Sequence, residues 1–292
     1  MEPLIFQERC SQEKGVIRSG RLLELHLYPG NHCNRDCSFC TVFGSPAGEF
    51  SAYTAADLDA ALAIILWEGQ GTLKFYGGEP TLHLENLLWA IQYIRQQGFP
   101  GAMVIYSNGI LADRLIQVLQ SDPLGRTTAS LNYSITTGNG APAMPRRSLE
   151  ILLDYERMYP GSIAIGHADI VDSGRGVTPF QGDTDRPKHS HRCPHCYPVL
   201  LTSGQFHACP FAVELKSPHF HLGDRHSPSS TVTHNFQIFL EWLDQVHEPY
   251  AKAQDLPACS VCWHHLEQLP VPEFSKELDE EKVSFGSQKL CP

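Results

Sequence analysis

The chain has 292 residues, enough for one large or two modest domains. Its 22 Lys and Arg against 32 Asp and Glu leave a net charge of −10, which argues against general binding to nucleic-acid phosphates or anionic membrane surfaces. The longest apolar run, Ala60–Trp67, falls short of the roughly 18 residues of a spanning helix, and Met1–Cys10 lacks the basic-then-apolar order of a signal peptide, so a soluble cytoplasmic protein is expected.

After an N-terminal segment, 1–20, Arg21–Tyr28 alternates apolar and polar residues and predicts a strand. A Gly- and Cys-rich loop follows. Thr54, as N-cap ahead of early Asp residues, opens a helix over Thr54–Glu68. Thr72–Tyr76 predicts a short strand ending in Gly77-Gly78, and Leu84–Gln97 an amphipathic helix. Gly101–Tyr106, Ala112–Gln120, Thr127–Ile135, Pro145–Met158 and Ser162–Val171 continue as strand, helix, strand, helix and strand. Such alternation with short loops is that of a parallel sheet covered by helices. Five strands are too few for an eight-stranded barrel. The expected fold class is α/β, a partial (β/α)6-like TIM barrel over 21–172.

The pattern breaks at Asp172, and 172–192 is polar and rich in Gly and Pro. Val199–Thr202 and Gln205–Ala208, around Ser203-Gly204, predict a hairpin. Asn235–Val246 has a helical apolar face. Residues 173–269 are expected to form a smaller α+β extension, and 270–292 a polar, acidic surface tail. There is no internal repeat.

Ten cysteines stand at positions 10, 33, 37, 40, 193, 196, 209, 259, 262 and 291. Without an export signal, clustered cysteines point to metal binding or redox chemistry rather than to disulfides. Cys33, Cys37 and Cys40 make a CxxxCxxC loop after the first strand, and three thiolates so close suit one soft-metal site. Zinc would want a fourth ligand, for which His32 is the candidate. An iron–sulfur cube on three cysteines keeps one iron open, and chance clustering in a loop is the bland alternative. One strand later, Gly77-Gly78-Glu79-Pro80 combines two glycines that let the backbone approach a ligand with a carboxylate that pairs with an ammonium. Alone, that stretch would read as an ordinary turn. Ser107 and Asn108 end the third strand, and Ser130 and Asn132 lie on the fourth. Ligands of parallel sheets gather at such ends, although ordinary turn and strand residues look the same.

The Cys33–Cys40 motif, with Phe39 before its last cysteine, and Gly77-Gly78-Glu79-Pro80 together resemble the radical S-adenosylmethionine superfamily over about residues 20–170. The resemblance implies a 4Fe–4S cluster on Cys33, Cys37 and Cys40 whose open iron chelates S-adenosylmethionine. It implies cofactor contacts from Phe39, Gly77, Gly78, Glu79, Pro80, Ser107, Asn108 and Asn132.

The later cysteines admit two readings. Cys193-Pro-His-Cys196 and Cys259-Ser-Val-Cys262 could face each other as a zinc site. Alternatively, Cys193, ten residues, Gly204, four residues and Cys209 resemble the opening of SPASM and twitch extensions. That resemblance implies a second, auxiliary 4Fe–4S cluster on Cys193, Cys209, Cys259 and Cys262, in the shorter twitch form. Cys196 is then an alternate ligand, a hydrogen-atom donor or a buried thiol, and Cys10 and Cys291 are bystanders. His189, His191, His219, His221, His264 and His265 read as loop residues before ligands. Arg175, Asp183, Asp185, Arg186 and Asp224 read as solvated charges before substrate contacts.

The resemblance implies reductive cleavage of the cofactor to a 5′-deoxyadenosyl radical that takes a hydrogen atom from the substrate. An external one-electron reductant of flavodoxin or ferredoxin type is then required. Relatives of this kind mature ribosomally made peptides by crosslinking, epimerisation or excision, or dehydrogenate aminocyclitol-like small molecules. The 172–192 segment could frame a peptide groove, which favours the peptide. Only about 20 residues precede the first strand, so a separate leader-peptide recognition protein is expected in that case. A non-catalytic iron–sulfur or zinc scaffold is the reading from another class, and neither nucleic acid nor membrane is an expected partner.

Overall fold

The computed structural model describes residues 17–18, 21–37, 40, 42, 44–68, 71–133, 144–167, 199–207 and 221–238. In chain order the elements are β1 (Glu24–Tyr28), α1 (Ala55–Ile64), β2 (Thr72–Phe75), a 3₁₀ turn (Pro80–His83), α2 (Leu84–Gln96), β3 (Ala102–Ser107), α3 (Ala112–Ser121), β4 (Thr127–Tyr133), α4 (Arg146–Met158), β5 (Ile163–His167), β6 (Val199–Leu201), β7 (Gln205–His207) and β8 (His221–Asp224). They form an eight-stranded sheet of order β8-β7-β6-β1-β2-β3-β4-β5. From β6 to β5 all neighbours are parallel, and β7 and β8 extend one edge antiparallel. The sheet is open, as expected of a partial barrel.

One face carries the main core. Leu25, Leu27, Leu73, Phe75, Met103 and Ile105 project from β1, β2 and β3 and are buried against Leu58, Leu87, Ile91, Leu115 and Val118 of the helices. Strand alternation decides which residues these are, since successive side chains take opposite faces. On the other face Tyr28, Val42, Tyr76 and Val199 cluster, with Cys40, Tyr106 and Leu201 packed against them. The same face holds a Lys74–Glu24 ion pair at 2.6 Å, with the Lys74 ammonium 5.8 Å from the centre of the Tyr106 ring.

Three elements depart from sequence expectation. The first strand breaks at Leu23: Arg21–Leu22 pairs antiparallel with Ile17–Arg18, and only β1 joins the large sheet. Helix α1 has the expected Thr54 cap, closed by Asp57 into a reciprocal capping box, but it stops at Ile64 rather than 68. There Ile65 bridges to Leu22, and the Leu66 N–H donates to the Leu22 carbonyl at 2.8 Å, so two buried apolar residues leave the helix to cover the start of the sheet. The helix expected from Asn235 starts earlier, with 229–238 helical and Val232 and Phe236 buried. Its remainder lies outside the described residues, as do 134–135 and 168–171 at the ends of two expected strands.

The expected hairpin is present, turning at Gly204 with φ +77°, and β6 pairs parallel with β1 as a sixth strand of the barrel sheet. Just beyond β8, the Arg225 guanidinium lies across Gly204 and donates to Asp57 at 2.8 Å, tying this part of the chain to the cap of α1.

A buried polar knot fixes the opposite ends of the strands. Arg95 at the end of α2 donates to both oxygens of Asp122, at 2.7 and 2.8 Å, and through Nη1 to the carbonyls of Phe99 and Gly101. Asp122 also accepts from the N–H groups of Leu124 and Arg126 and from the Thr127 hydroxyl. The starts of β3 and β4 therefore share one ion pair. Among the described residues no helix is long and apolar enough to cross a membrane.

Candidate functional site

Three loops meet at the carboxyl ends of β1, β2 and β3. The loop after β2 is zipped to the cysteine loop by main-chain bonds, Gly78 N–H to the Gly30 carbonyl and Glu79 N–H to the His32 carbonyl, both 2.9 Å. This explains the two glycines. Gly77 sits at φ +130°, a conformation L side chains rarely adopt, and its missing Cβ leaves room for the Gly30 carbonyl. At Gly78 a Cβ would strike the His32 carbonyl. The close approach that they permit is, in the first place, to the residue before Cys33. Gly78→Ala is expected to lower stability by about 1–3 kcal/mol. Urea midpoints measure it, and an unchanged value would show that the zip has slack.

Glu79 is 2% exposed. Its Oε1 accepts from the Thr81 N–H at 3.1 Å, the Thr81 hydroxyl at 2.6 Å and the Ser107 hydroxyl at 2.9 Å, and its Oε2 accepts from the Asn108 N–H at 2.7 Å. Burial pushes its carboxyl above the usual range, and these four donors pull against that push. The carboxylate thus braces the ends of β2 and β3 and caps the 3₁₀ turn that Pro80 begins. Asn108, so placed, donates from Nδ2 to the Asn34 side-chain oxygen at 2.8 Å and toward the Cys33 sulfur at 3.7 Å. One chain of bonds therefore joins Glu79, Ser107, Asn108 and Cys33.

Cys33 is buried, and Cys37 and Cys40 are half-buried. The Cys33 N–H donates to the Ser45 carbonyl at 2.9 Å, the Cys40 N–H to the Cys37 carbonyl at 3.1 Å, and the Gly44 N–H to the Cys40 sulfur at 3.1 Å. Gly44 lies between two of the thiols, since a Cβ there would be 3.1 Å from Cys33 Cβ and 3.5 Å from the Cys40 sulfur. Burial pushes the Cys33 thiol up to about 11, against an N–H bond from Arg35 and with the charges of Glu79, Cys40 and Cys37 adding to the rise. Burial also raises Cys37, with the Arg35 charge opposing and Cys40 adding. The thiols are near enough to feel one another. Even so, among the described residues no three His, Cys, Asp or Glu side chains converge as they would around one ion.

The donor set, three thiols on one loop, fits a soft-metal centre, and an iron–sulfur core needs no fourth protein ligand. His32, the one candidate for a fourth zinc ligand, shares a 2.8 Å hydrogen bond with His83, whose ring stacks on Phe50 at 3.4 Å. Three thiols lie on the one loop, Cys33 and Cys40 each with a backbone N–H aimed at sulfur, and those are ligands that become thiolates on binding a metal.

Of the expected site residues, the structure brings together Cys33, Cys37, Cys40, Gly77, Gly78, Glu79, Pro80, Ser107 and Asn108. Phe39, Cys193, Cys196, Cys209, Cys259 and Cys262 lie outside the described residues, as does the side chain of Asn132. Sequence reasoning passed over the Tyr28, Tyr76 and Tyr106 layer under Cys40 and the buried Arg35. Strand parity alone could have found the tyrosines, because all three fall on the face opposite the helices.

No known protein family matches the sequence, and no curated protein matches it. Among solved structures, the chain is similar to BtrN in complex with AdoMet and 2-DOIA, at 15% identity and TM-score 0.47 over 74% of this chain and 84% of that one. It is similar to native anSMEcpe with bound AdoMet, at 14% and 0.48 over 74% and 83%. It is also similar to Streptococcus suis SuiB bound to precursor peptide SuiA, at 15% and 0.37 over 78% and 68%.

Proposed function

We propose that the chain is a radical S-adenosylmethionine enzyme, with the cluster on Cys33, Cys37 and Cys40 and the cofactor at the ends of β1, β2 and β3. The observation that carries this reading is the bond chain from Cys33 through Asn108 to Glu79, which makes one site of motifs 46 residues apart in sequence (33 to 79). When bound, cluster and cofactor would supply the chemistry, one-electron reductive cleavage of S-adenosylmethionine to methionine and a 5′-deoxyadenosyl radical able to take a hydrogen atom from the substrate. The chain's own residues hold and shield. Asn108 and the Gly44 N–H orient the ligating sulfurs from outside the ligand set. Glu79 would add negative charge on the side that takes the cofactor's ammonium, and the buried Cys33 and Glu79 would help to exclude water from the site. Tyr28, Tyr76 and Tyr106 floor the space below Cys40.

A ribosomally synthesised peptide is the substrate we favour, because an unclosed sheet suits an extended chain laid along its open face. A compact polar ring, as in an aminocyclitol, is the second reading, and the Lys74–Glu24 pair beside Tyr106 on that face supports it. The segment after residue 172 would carry the auxiliary cluster on Cys193, Cys209, Cys259 and Cys262, with Cys196 free to donate hydrogen. A reductase of flavodoxin or ferredoxin type and, for a peptide, a leader-recognition protein complete the system.

Chain reconstituted anaerobically with iron and sulfide, then given reductant and S-adenosylmethionine, is expected to release 5′-deoxyadenosine, measured by liquid chromatography. None above the chain-free control, with peptide and cyclitol candidates both present, would overturn the reading. A short precursor gene beside this one would favour the peptide, and sugar-pathway genes the ring.

A further inference from the structure

The third residue of the CxxxCxxC motif is an arginine folded inward. Arg35 is 4% exposed, and its Nε and Nη2 have no hydrogen-bond partner. A guanidinium cannot shed its proton to escape burial. Burying it without a counter-charge costs several kcal/mol in general, so a folded chain keeps such a group only where something compensates.

The carboxylates nearby do not serve. Both Glu79 oxygens are taken by Thr81, Ser107 and Asn108. The ion pairs formed among the described residues, Lys74–Glu24, Arg95–Asp122, Arg146–Glu150, Arg157–Asp154 and Arg225–Asp57, leave Arg35 out. Its charge acts instead on the Cys37 sulfur, and the Arg35 main-chain N–H donates to the Cys33 sulfur. A buried guanidinium whose Nε and Nη2 are unpaired is thus carried on the cysteine loop itself, between Cys33 and Cys37 in the chain and close enough for its charge to act on Cys37.

We propose that Arg35 is the built-in counter-charge of the centre held by Cys33, Cys37 and Cys40, and that its guanidinium sets the reduction potential of that centre. This rests on the reading of the three cysteines as cluster ligands. A cubane core held by three thiolates is a net anion, and an added electron makes it more so. A desolvated cation in reach therefore stabilises the reduced form more than the oxidised one, in a medium where charges interact far more strongly than in water. Arg35 is a positioning and tuning residue, since it acts through the centre rather than on substrate.

The test compares wild type, R35K and R35Q after anaerobic reconstitution. Iron and sulfide per chain are measured first, and then the midpoint potential of the EPR signal that responds to S-adenosylmethionine. Wild type and R35Q are expected to load equally. The R35Q midpoint is expected to fall by the equivalent of roughly a tenfold change in the reduction equilibrium, which is 59 mV for one electron. R35K, keeping the charge without the fork, is expected to lie between the two. An unchanged midpoint in a loaded R35Q would overturn the proposal, whereas a wild type that takes up no iron would overturn the cluster reading beneath it. If R35Q loses iron while keeping its circular dichroism and melting midpoint, recovery of loading by R35K supports the assignment. Loss of fold in both variants would make Arg35 a packing residue and overturn it.

Discussion

On the proposed reading of two clusters, alanine at Cys33, Cys37 and Cys40 together is expected to abolish 5′-deoxyadenosine formation and to halve bound iron, from about eight to about four per chain, while leaving the fold intact. The separation of the two effects follows from how the loop is held. Its shape comes from main-chain bonds, Asn31 and His32 N–H to the Glu49 carbonyl, Cys33 N–H to Ser45 and Gly78 N–H to Gly30, none of which passes through a thiol. Trimming three half-buried or buried sulfurs to methyl groups removes the ligand set and little packing. Iron and sulfide analysis with circular dichroism reads all three quantities. Iron that stays unchanged would remove these cysteines from the cluster, and zinc replacing a single lost set of four irons would restore the zinc alternative.

The largest expected effect on stability lies far from the cysteines. Arg95→Met is expected to cost about 3–5 kcal/mol at pH 7, because it leaves Asp122, with a side chain 0% exposed, as an uncompensated buried charge. Burial alone would raise the Asp122 carboxyl. The Arg95 fork, the Leu124 N–H, the Thr127 hydroxyl and the Arg95 charge outweigh burial and hold it at about 2, below the ordinary 3.8. A carboxyl depressed in the folded state stabilises fully above its unfolded value and loses that contribution as pH falls through its folded value. Wild type should therefore shed about 2 kcal/mol between roughly pH 4 and pH 2 from this group alone. In Arg95→Met that acid-sensitive share should shrink. Urea midpoints at pH 7, 4 and 2.5 would show it, and parallel acid losses in both proteins would place the sensitivity in other carboxylates.

What the sequence made legible was mostly local. Period-two burial in β2 and β3 and the Thr54–Asp57 cap were readable because neighbouring residues settle them. The end of α1 was not. Ala60–Trp67 is apolar either as a longer helix or as a turn onto the sheet, and the Leu22 carbonyl, some forty residues earlier, decides between the two. The helix beginning at 229 opens Ser-Ser-Thr-Val-Thr, a poor helix former whose burial of Val232 and Phe236 overrides propensity. At the site, the cysteine and glycine motifs were visible as patterns. The reason for Gly78, a carbonyl of the partner loop, was not visible. Arg35 reads as a solvent-facing spacer in one dimension, and only the folded loop buries it.

The pairing of β6 with β1 also governs how the chain is made. Strand β1 leaves the ribosome well before β6, and one of its hydrogen-bonding edges is not covered until Val199–Leu201 arrives about 170 residues later. At about 5–20 residues per second that edge stays bare for roughly 10–30 s. A bare strand edge is a template for pairing with other chains. The cysteine loop hangs from the end of this same strand, so the interval that exposes the nascent chain to aggregation is also one in which a metal centre can be delivered to the thiols, on the proposed reading, before β6 docks.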